Sequence, residues 1–122
     1  MSKKVLIVDD SLYMRTVIKD ALVNAGFDVV GQAANGESAI DLAIELQPDL
    51  ITLDNILPDM LGLDILNVLK SEEIESKVIM ISAVGQESVV EEGIKRGASH
   101  YIVKPFTSEQ LIEIVHKVFD NN

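Results

Sequence analysis

Three carboxylates, one hydroxyl and one ammonium stand directly after short apolar runs in this 122-residue chain. Asp9-Asp10 follow Val5-Leu6-Ile7-Val8, and Asp54 follows Leu50-Ile51-Thr52-Leu53. Ser82 follows Val78-Ile79-Met80-Ile81, and Lys104-Pro105 follow His100-Tyr101-Ile102-Val103. An aspartate or serine in such a place is often only a turn former or helix cap, and a lone lysine is most often a solvated charge. The same pattern at four run ends is hard to assign to chance. Three carboxylates in one cleft repel one another and raise one another's pKa. A hard divalent cation relieves that, and Mg2+ needs only one or two carboxylates plus a carbonyl oxygen because it keeps several waters. The chain has no cysteine, and no histidine adjoins the three aspartates in sequence, so zinc is a poor fit. A metal beside a free carboxylate and an ammonium suits phosphoryl transfer onto that carboxylate. The two cations neutralise the transferred oxygens while the carboxylate attacks.

The elements that must position these groups follow from hydropathic period. The four runs above and Asp28-Val29-Val30 are mostly β-branched and apolar on both faces, as strands of a covered parallel sheet must be. Between them lie stretches of helical period. Met14, Val17, Ile18, Ala21, Leu22 and Ala25 form one stripe, with Gly26 as its C-terminal cap. Ala39, Ile40, Ala43 and Ile44 form a second, ended by Pro48, and Ile65, Leu66 and Leu69 a third. Val89, Val90 and Ile94 mark a fourth, weakened by Gly93 in its interior. Leu111, Ile112, Val115, Val118 and Phe119 make a fifth, opened by the capping-box pattern Thr107-Ser108-Glu109-Gln110. The alternation is βαβαβαβαβα without a linker, which implies a doubly wound α/β sheet with helices on both faces. Right-handed crossovers bring every strand's C-terminal end to one edge, where such folds bind ligands. The acids, the serine and the lysine all fall there.

Composition narrows the function further. Hydrophobic residues at 48% are enough for one core, and the length suits a single domain spanning 1–122 with no output domain. Twenty acidic against ten basic side chains give a formal net charge of −10, which repels nucleic acid and anionic lipid. The apolar stretch near the N-terminus is too short for a signal peptide or a membrane span. A cytoplasmic monomer is expected.

The stretches VLIVDD at 5–10, LDNILPDMLGL at 53–63, ISA at 81–83 and YIVKPF at 101–106 together resemble the response-regulator receiver family of the CheY type, over essentially the whole chain. The resemblance implies a flavodoxin-like (βα)5 sheet of strand order 2-1-3-4-5, an order that the doubly wound rule alone does not fix. It implies that Asp54 accepts the phosphoryl group. Asp9, Asp10, Asp54 and the main-chain carbonyl of Ile56 would hold Mg2+. Ser82 resembles the switch hydroxyl, Lys104 the ion-pair partner of the phosphoryl group, and Tyr101 the switch aromatic. Lys104-Pro105 resembles the family's cis peptide. Ile56 and Val84 stand where receivers tune the lifetime of the phosphorylated state, and both are apolar. The partners implied are a histidine kinase and a target docking on the face formed by residues 86–119. A chemotaxis-type role comes first, a phosphorelay intermediate serving a histidine phosphotransfer domain second, and a non-phosphorylated scaffold third.

The chain departs from the family in having Leu57-Pro58 after the acceptor, and Met60-Leu61 before Gly62. Met60 and Leu61 are expected to be core, because the third helix starts there and must pack. Other readings lack their motifs. No Gly-x-x-x-x-Gly-Lys-Ser/Thr occurs. Asp-Asp-Ser after the first strand would repel a pyrophosphate. A haloacid-dehalogenase-like phosphatase wants an acid at position 56, where this chain has isoleucine.

Overall fold

Val5 to Val8, Leu50 to Leu53 and Val78 to Ile81 are buried at every position. They form the middle of the sheet, as β1 (Lys4–Val8), β3 (Leu50–Asp54) and β4 (Lys77–Ala83), with β2 (Asp28–Ala33) and β5 (His100–Lys104) at the edges. In this computed structural model, which describes residues 2–120, the order is β2-β1-β3-β4-β5 and every pairing is parallel. The edge strands depart from the expectation of apolar cover on both faces. Asp28 is exposed and Val29 and Val30 are only half-buried, because β2 has a neighbour on one side alone. That strand also runs three residues past its apolar stretch, through Gly31 and Gln32 to Ala33.

Five helices alternate with the strands: α1 (Leu12–Asn24), α2 (Gly36–Leu46), α3 (Gly62–Ser71), α4 (Glu87–Lys95) and α5 (Ser108–Asp120). Ile18 and Leu22 of α1 pack with Leu111, Val115 and Val118 of α5 on Val5, Ile7, Leu50, Ile79, Ile81 and Ile102. Ala39, Ala43, Ile65, Leu66 and Leu69 of α2 and α3 cover Leu6, Val8, Ile51, Leu53 and Met80 on the opposite face, with Val89 of α4 at the margin. Successive strand residues point to opposite faces. Asp9, Asp54 and Lys104 therefore continue the rows of Ile7, Leu50 and Ile102 on the α1/α5 face, whereas Ser82 follows Met80 on the other. Sheet pleat thus sets Asp9, Asp54 and Lys104 side by side. Each fully buried Leu or Ile is worth about 1.5–3 kcal/mol of transfer free energy, so a register slip that turned these rows over would be prohibitive.

Local signals end the helices where expected. Ser11 caps α1 by accepting from the Met14 N–H at 3.2 Å, and Gly26 follows that helix with φ 92°. Thr107 and Gln110 cap α5 reciprocally, with N–H to side-chain oxygen distances of 2.8 and 3.1 Å. Gly93 weakens α4 only on paper. A Cβ there would lie 3.3 Å from Met80 Cγ, so its absence lets the helix sit close on the sheet. Ile44 and Ile94, counted in the apolar stripes, are exposed. Among the described residues no helix is long and apolar enough to cross a membrane.

Candidate functional site

The C-terminal edge of β1 and β3 gathers the three aspartates. Carboxylate oxygens of Asp9, Asp10 and Asp54 all lie within 4.8 Å of one another. Asp9 is fully buried and Asp10 exposed, while Asp54 keeps 13% of its side chain accessible. Lys104, from the end of β5, reaches back between the two inner acids: its Nζ stands 3.1 Å from Asp9 Oδ2 and 3.5 Å from Asp54 Oδ2. The Ser11 N–H donates to Asp9 Oδ1 at 2.9 Å, so both oxygens of the buried carboxylate are engaged. An ion buried that deeply persists only with such partners. The Lys104–Pro105 peptide bond is cis.

Burial pushes the Asp54 carboxyl above its ordinary pKa; Lys104 pulls it down, Asp9 pushes it up again, and the Ile56 N–H lowers it further. Asp9 thus raises the Asp54 carboxyl as carboxylate repulsion implies, but loss of water is the larger cause. For Lys104, burial works downward, but the bond to Asp9 and the charges of Asp54 and Asp9 leave it raised. Three acids and one ammonium leave uncompensated negative charge in a cleft whose donors are all oxygen. That donor set fits a hard divalent cation such as Mg2+.

Two loops flank Asp54. The loop from β3 to α3 is pinned at its base by Asn55, which is buried. The Asn55 N–H donates to Ile81 O at 3.2 Å, its carbonyl accepts from the Gly62 N–H at 2.6 Å, and its side-chain oxygen accepts from the Leu63 N–H at 3.3 Å. Ile56 pairs with Leu61 across the loop, and the Leu57 N–H donates to Met60 O at 3.3 Å. Gly62 is obligatory in this turn, because a Cβ would stand 2.9 Å from both Asn55 Cα and Asp54 O. Met60 packs on the core margin as expected, but Leu61 does not: it is exposed, because pairing with Ile56 turns it outward at the start of α3. The loop from β4 to α4 is looser. Ala83 N–H donates to Gln86 Oε1 at 3.0 Å, and Gly85, at φ 91°, has nothing within 4 Å of a Cβ position.

Ser82 Oγ is buried without a hydrogen-bond partner among the described residues. Beside it opens a cavity of about 410 Å3 whose lining includes Val84, Glu87, Val90, Glu91, Val103 and Tyr101, a residue that is 40% exposed. Ile56 and Val84 are 56% and 75% exposed, so core packing accounts for neither.

Four residues near the site escaped sequence reasoning. Besides Asn55, Arg15 donates from Nη1 to Asp9 O at 2.7 Å and from Nε to Gln32 Oε1 at 3.2 Å, tying α1 to the ends of β1 and β2. Thr52 Oγ1, two residues before Asp54, is buried and has no hydrogen-bond partner among the described residues. Asp59 reaches away from the site to α2. Only Asn55 left a trace in the sequence, as a turn-forming residue directly after a strand.

A family model described as the response regulator receiver domain matches residues 5–116. The chain is 42% identical to the chemotaxis protein CheY of Thermotoga maritima over 118 residues, covering 97% of this chain and 98% of that protein. It is also 42% identical to the chemotaxis protein CheY of Bacillus subtilis over 120 residues, covering 98% of this chain and all of that one (100%). Among solved structures, a chain of the CheX–CheY–BeF3–Mg2+ complex from Borrelia burgdorferi superposes with a TM-score of 0.90 at 33% identity, covering 96% of this chain and 89% of that chain. With its sheet order, its family match and relatives aligned nearly end to end, the chain belongs to the response regulator receiver domains, as a CheY-like receiver of two-component signalling.

Proposed function

We propose that this chain is a single receiver domain that takes a phosphoryl group onto Asp54, with Mg2+, and signals by binding a partner. The observation that carries the reading is the Lys104 ammonium shared between Asp9 and Asp54 at 3.1 and 3.5 Å. Of the two carboxylates it holds, Asp54 is the one that solvent reaches. An Asp54 oxygen attacks the phosphorus of a phosphohistidine or a small acyl phosphate. The bond from phosphorus to the donor atom breaks, and the donor leaves with that electron pair. Asp9, Asp10, Asp54 and the Ile56 carbonyl would hold Mg2+, which supplies charge neutralisation at the transferred oxygens. Lys104 adds a second cation, already oriented before the donor arrives.

Ser82 Oγ, buried and unpartnered, is poised to bond a phosphoryl oxygen. Its shift leaves room beside the 410 Å3 cavity for Tyr101 to turn inward. A phosphoryl group biases that equilibrium because Ser82 bonds it only in the active arrangement. The responding face is formed by residues 86–119, on which a target or a kinase would dock. Ile56 and Val84, apolar and exposed at the flanking loops, shield the phosphorus from water and prolong the state. Identity of 42% to CheY proteins supports a chemotaxis-type, cytoplasmic role with a histidine kinase as donor.

Intact mass spectrometry after incubation with acetyl phosphate and Mg2+ tests the acceptor. One phosphoryl group on the wild type and none on Asp54→Asn is the expected result. Equal labelling of both would overturn the assignment, and no labelling of either would favour a scaffold.

A further inference from the structure

The tip of the loop that carries Ile56 makes contacts that phosphoryl chemistry does not by itself require. Asp59 accepts from the Gly36 N–H at 2.7 Å through Oδ1 and from the Glu37 N–H at 3.0 Å through Oδ2. These are free amides of the first turn of α2, a helix of 11 residues on the far side of the loop from the site. Asn35 already caps that helix by accepting from the Ser38 N–H at 2.8 Å, so Asp59 is not needed as its cap. The backbone is shaped to receive the loop as well. Residue 36 is glycine, and a Cβ there would overlap the Met60 side chain.

We propose that Asp59 is a positioning residue: it latches the β3–α3 loop to the N-terminus of α2 and so holds the Ile56 carbonyl where the metal is bound, a proposal that rests on the function proposed above. The physical logic is leverage. Asn55 and Gly62 pin the base of the loop, and the Ile56–Leu61 pairing makes it a narrow ribbon. A ribbon fixed at one end still swings. Two charge-assisted bonds to a helix N-terminus fix the other end. A carbonyl ligand that need not be ordered on binding costs the metal less. Asp59 thus acts through Ile56 and touches neither metal nor phosphoryl group.

The test is Mg2+ titration of the full chain, followed by the amide NMR shifts of residues 54–57 in 0.5 M salt, which screens the loss of one surface charge. Asp59→Ala should weaken Mg2+ binding by about 3–10-fold, below the loss typical of residues that bond a ligand directly. Asp59→Asn keeps an acceptor for the Gly36 N–H but gives up the second bond and the charge, so its loss should be smaller than that of Asp59→Ala, about 2–3-fold. Asn35→Ala loosens the same helix end without touching the loop, and should leave affinity unchanged although it lowers stability. Wild-type affinity in Asp59→Ala would overturn the latch, as would an equal loss in Asn35→Ala or in Asp59→Asn. Asp10→Ala separates the two levels. If it too binds Mg2+ like the wild type, the metal site itself is wrongly assigned; if it alone loses binding, only the latch fails.

Discussion

The two loops beside Asp54 are built to opposite specifications. From β3 to α3 the chain is bonded at its base through Asn55 and Gly62, along its length through Ile56 and Leu61, and at its tip through Asp59. From β4 to α4 the side-chain bond among the described residues is that from the Ala83 N–H to Gln86, beside an exposed Val84 and an uncrowded Gly85. The first side suits holding a metal and an acceptor in a fixed frame. The second suits movement, and the unpartnered Ser82 hydroxyl with its adjoining cavity lies on it. A receiver needs both, because chemistry rewards a rigid site whereas signalling requires a segment whose alternative arrangement is only slightly less stable.

Glycine substitutions should separate the loops most strongly. Gly62→Ala forces a Cβ against backbone atoms that cannot yield, and should cost about 2–4 kcal/mol in a denaturant titration. Gly85→Ala meets only the strain of its left-handed φ and should cost about 1 kcal/mol. Equal costs would mean that the β3–α3 turn is less rigid than its bonds imply.

Lys104→Met should come next. It leaves the buried Asp9 carboxylate without its cation, at about 2–4 kcal/mol. It should also move the Asp54 carboxyl further above its ordinary pKa, since Lys104 is the largest influence lowering it. A carbon-detected NMR titration of Asp54 reads that shift, and a downward one would contradict the ion pair.

Asp54→Asn should have a smaller effect, and one that depends on pH. A carboxyl raised above its unfolded value binds more protons folded than unfolded between the two, so stability falls as pH rises through that window. The variant removes this loss. Its Tm should match the wild type below about pH 4, exceed it increasingly as pH rises through the raised pKa, and keep a constant lead above that. A difference that does not change through that window would argue that Asp54 is not strained by burial.

The smallest effect should come from the residues that one loop each contributes at the mouth of the site. Ile56→Asn and Val84→Glu should both speed loss of the phosphoryl group, by roughly 3–10-fold, since a held polar group can orient water. Ile56→Asn should be the stronger, because its loop keeps the amide in place. The reverse order in a dephosphorylation time course would mean that access, rather than orientation, limits hydrolysis.

Much of this was legible in the sequence, and the exceptions share a cause. β-branched runs and helical stripes specified five strands and five helices, and right-handed crossovers brought Asp9, Asp54 and Lys104 to one edge. Strand order came from family resemblance, because periodicity says nothing about which strands are neighbours. Leu61 was misjudged as core because apolar character does not reveal that pairing with Ile56 turns it outward. Asp59 and Arg15 went unseen because each acts on backbone groups 22 or 23 residues away or across the sheet end. Such partners exist only once the chain has folded.

Chemical trapping of the acceptor puts the assignment of Asp54 to its most direct test. Borohydride reduces an acyl phosphate to the alcohol, so protein treated with acetyl phosphate and Mg2+ and then reduced should carry homoserine in place of aspartate at position 54. Peptide sequencing by mass spectrometry is expected to find it there alone, and only when Mg2+ was present. Homoserine at position 9 or 10, or labelling indifferent to Mg2+, would contradict the site described above.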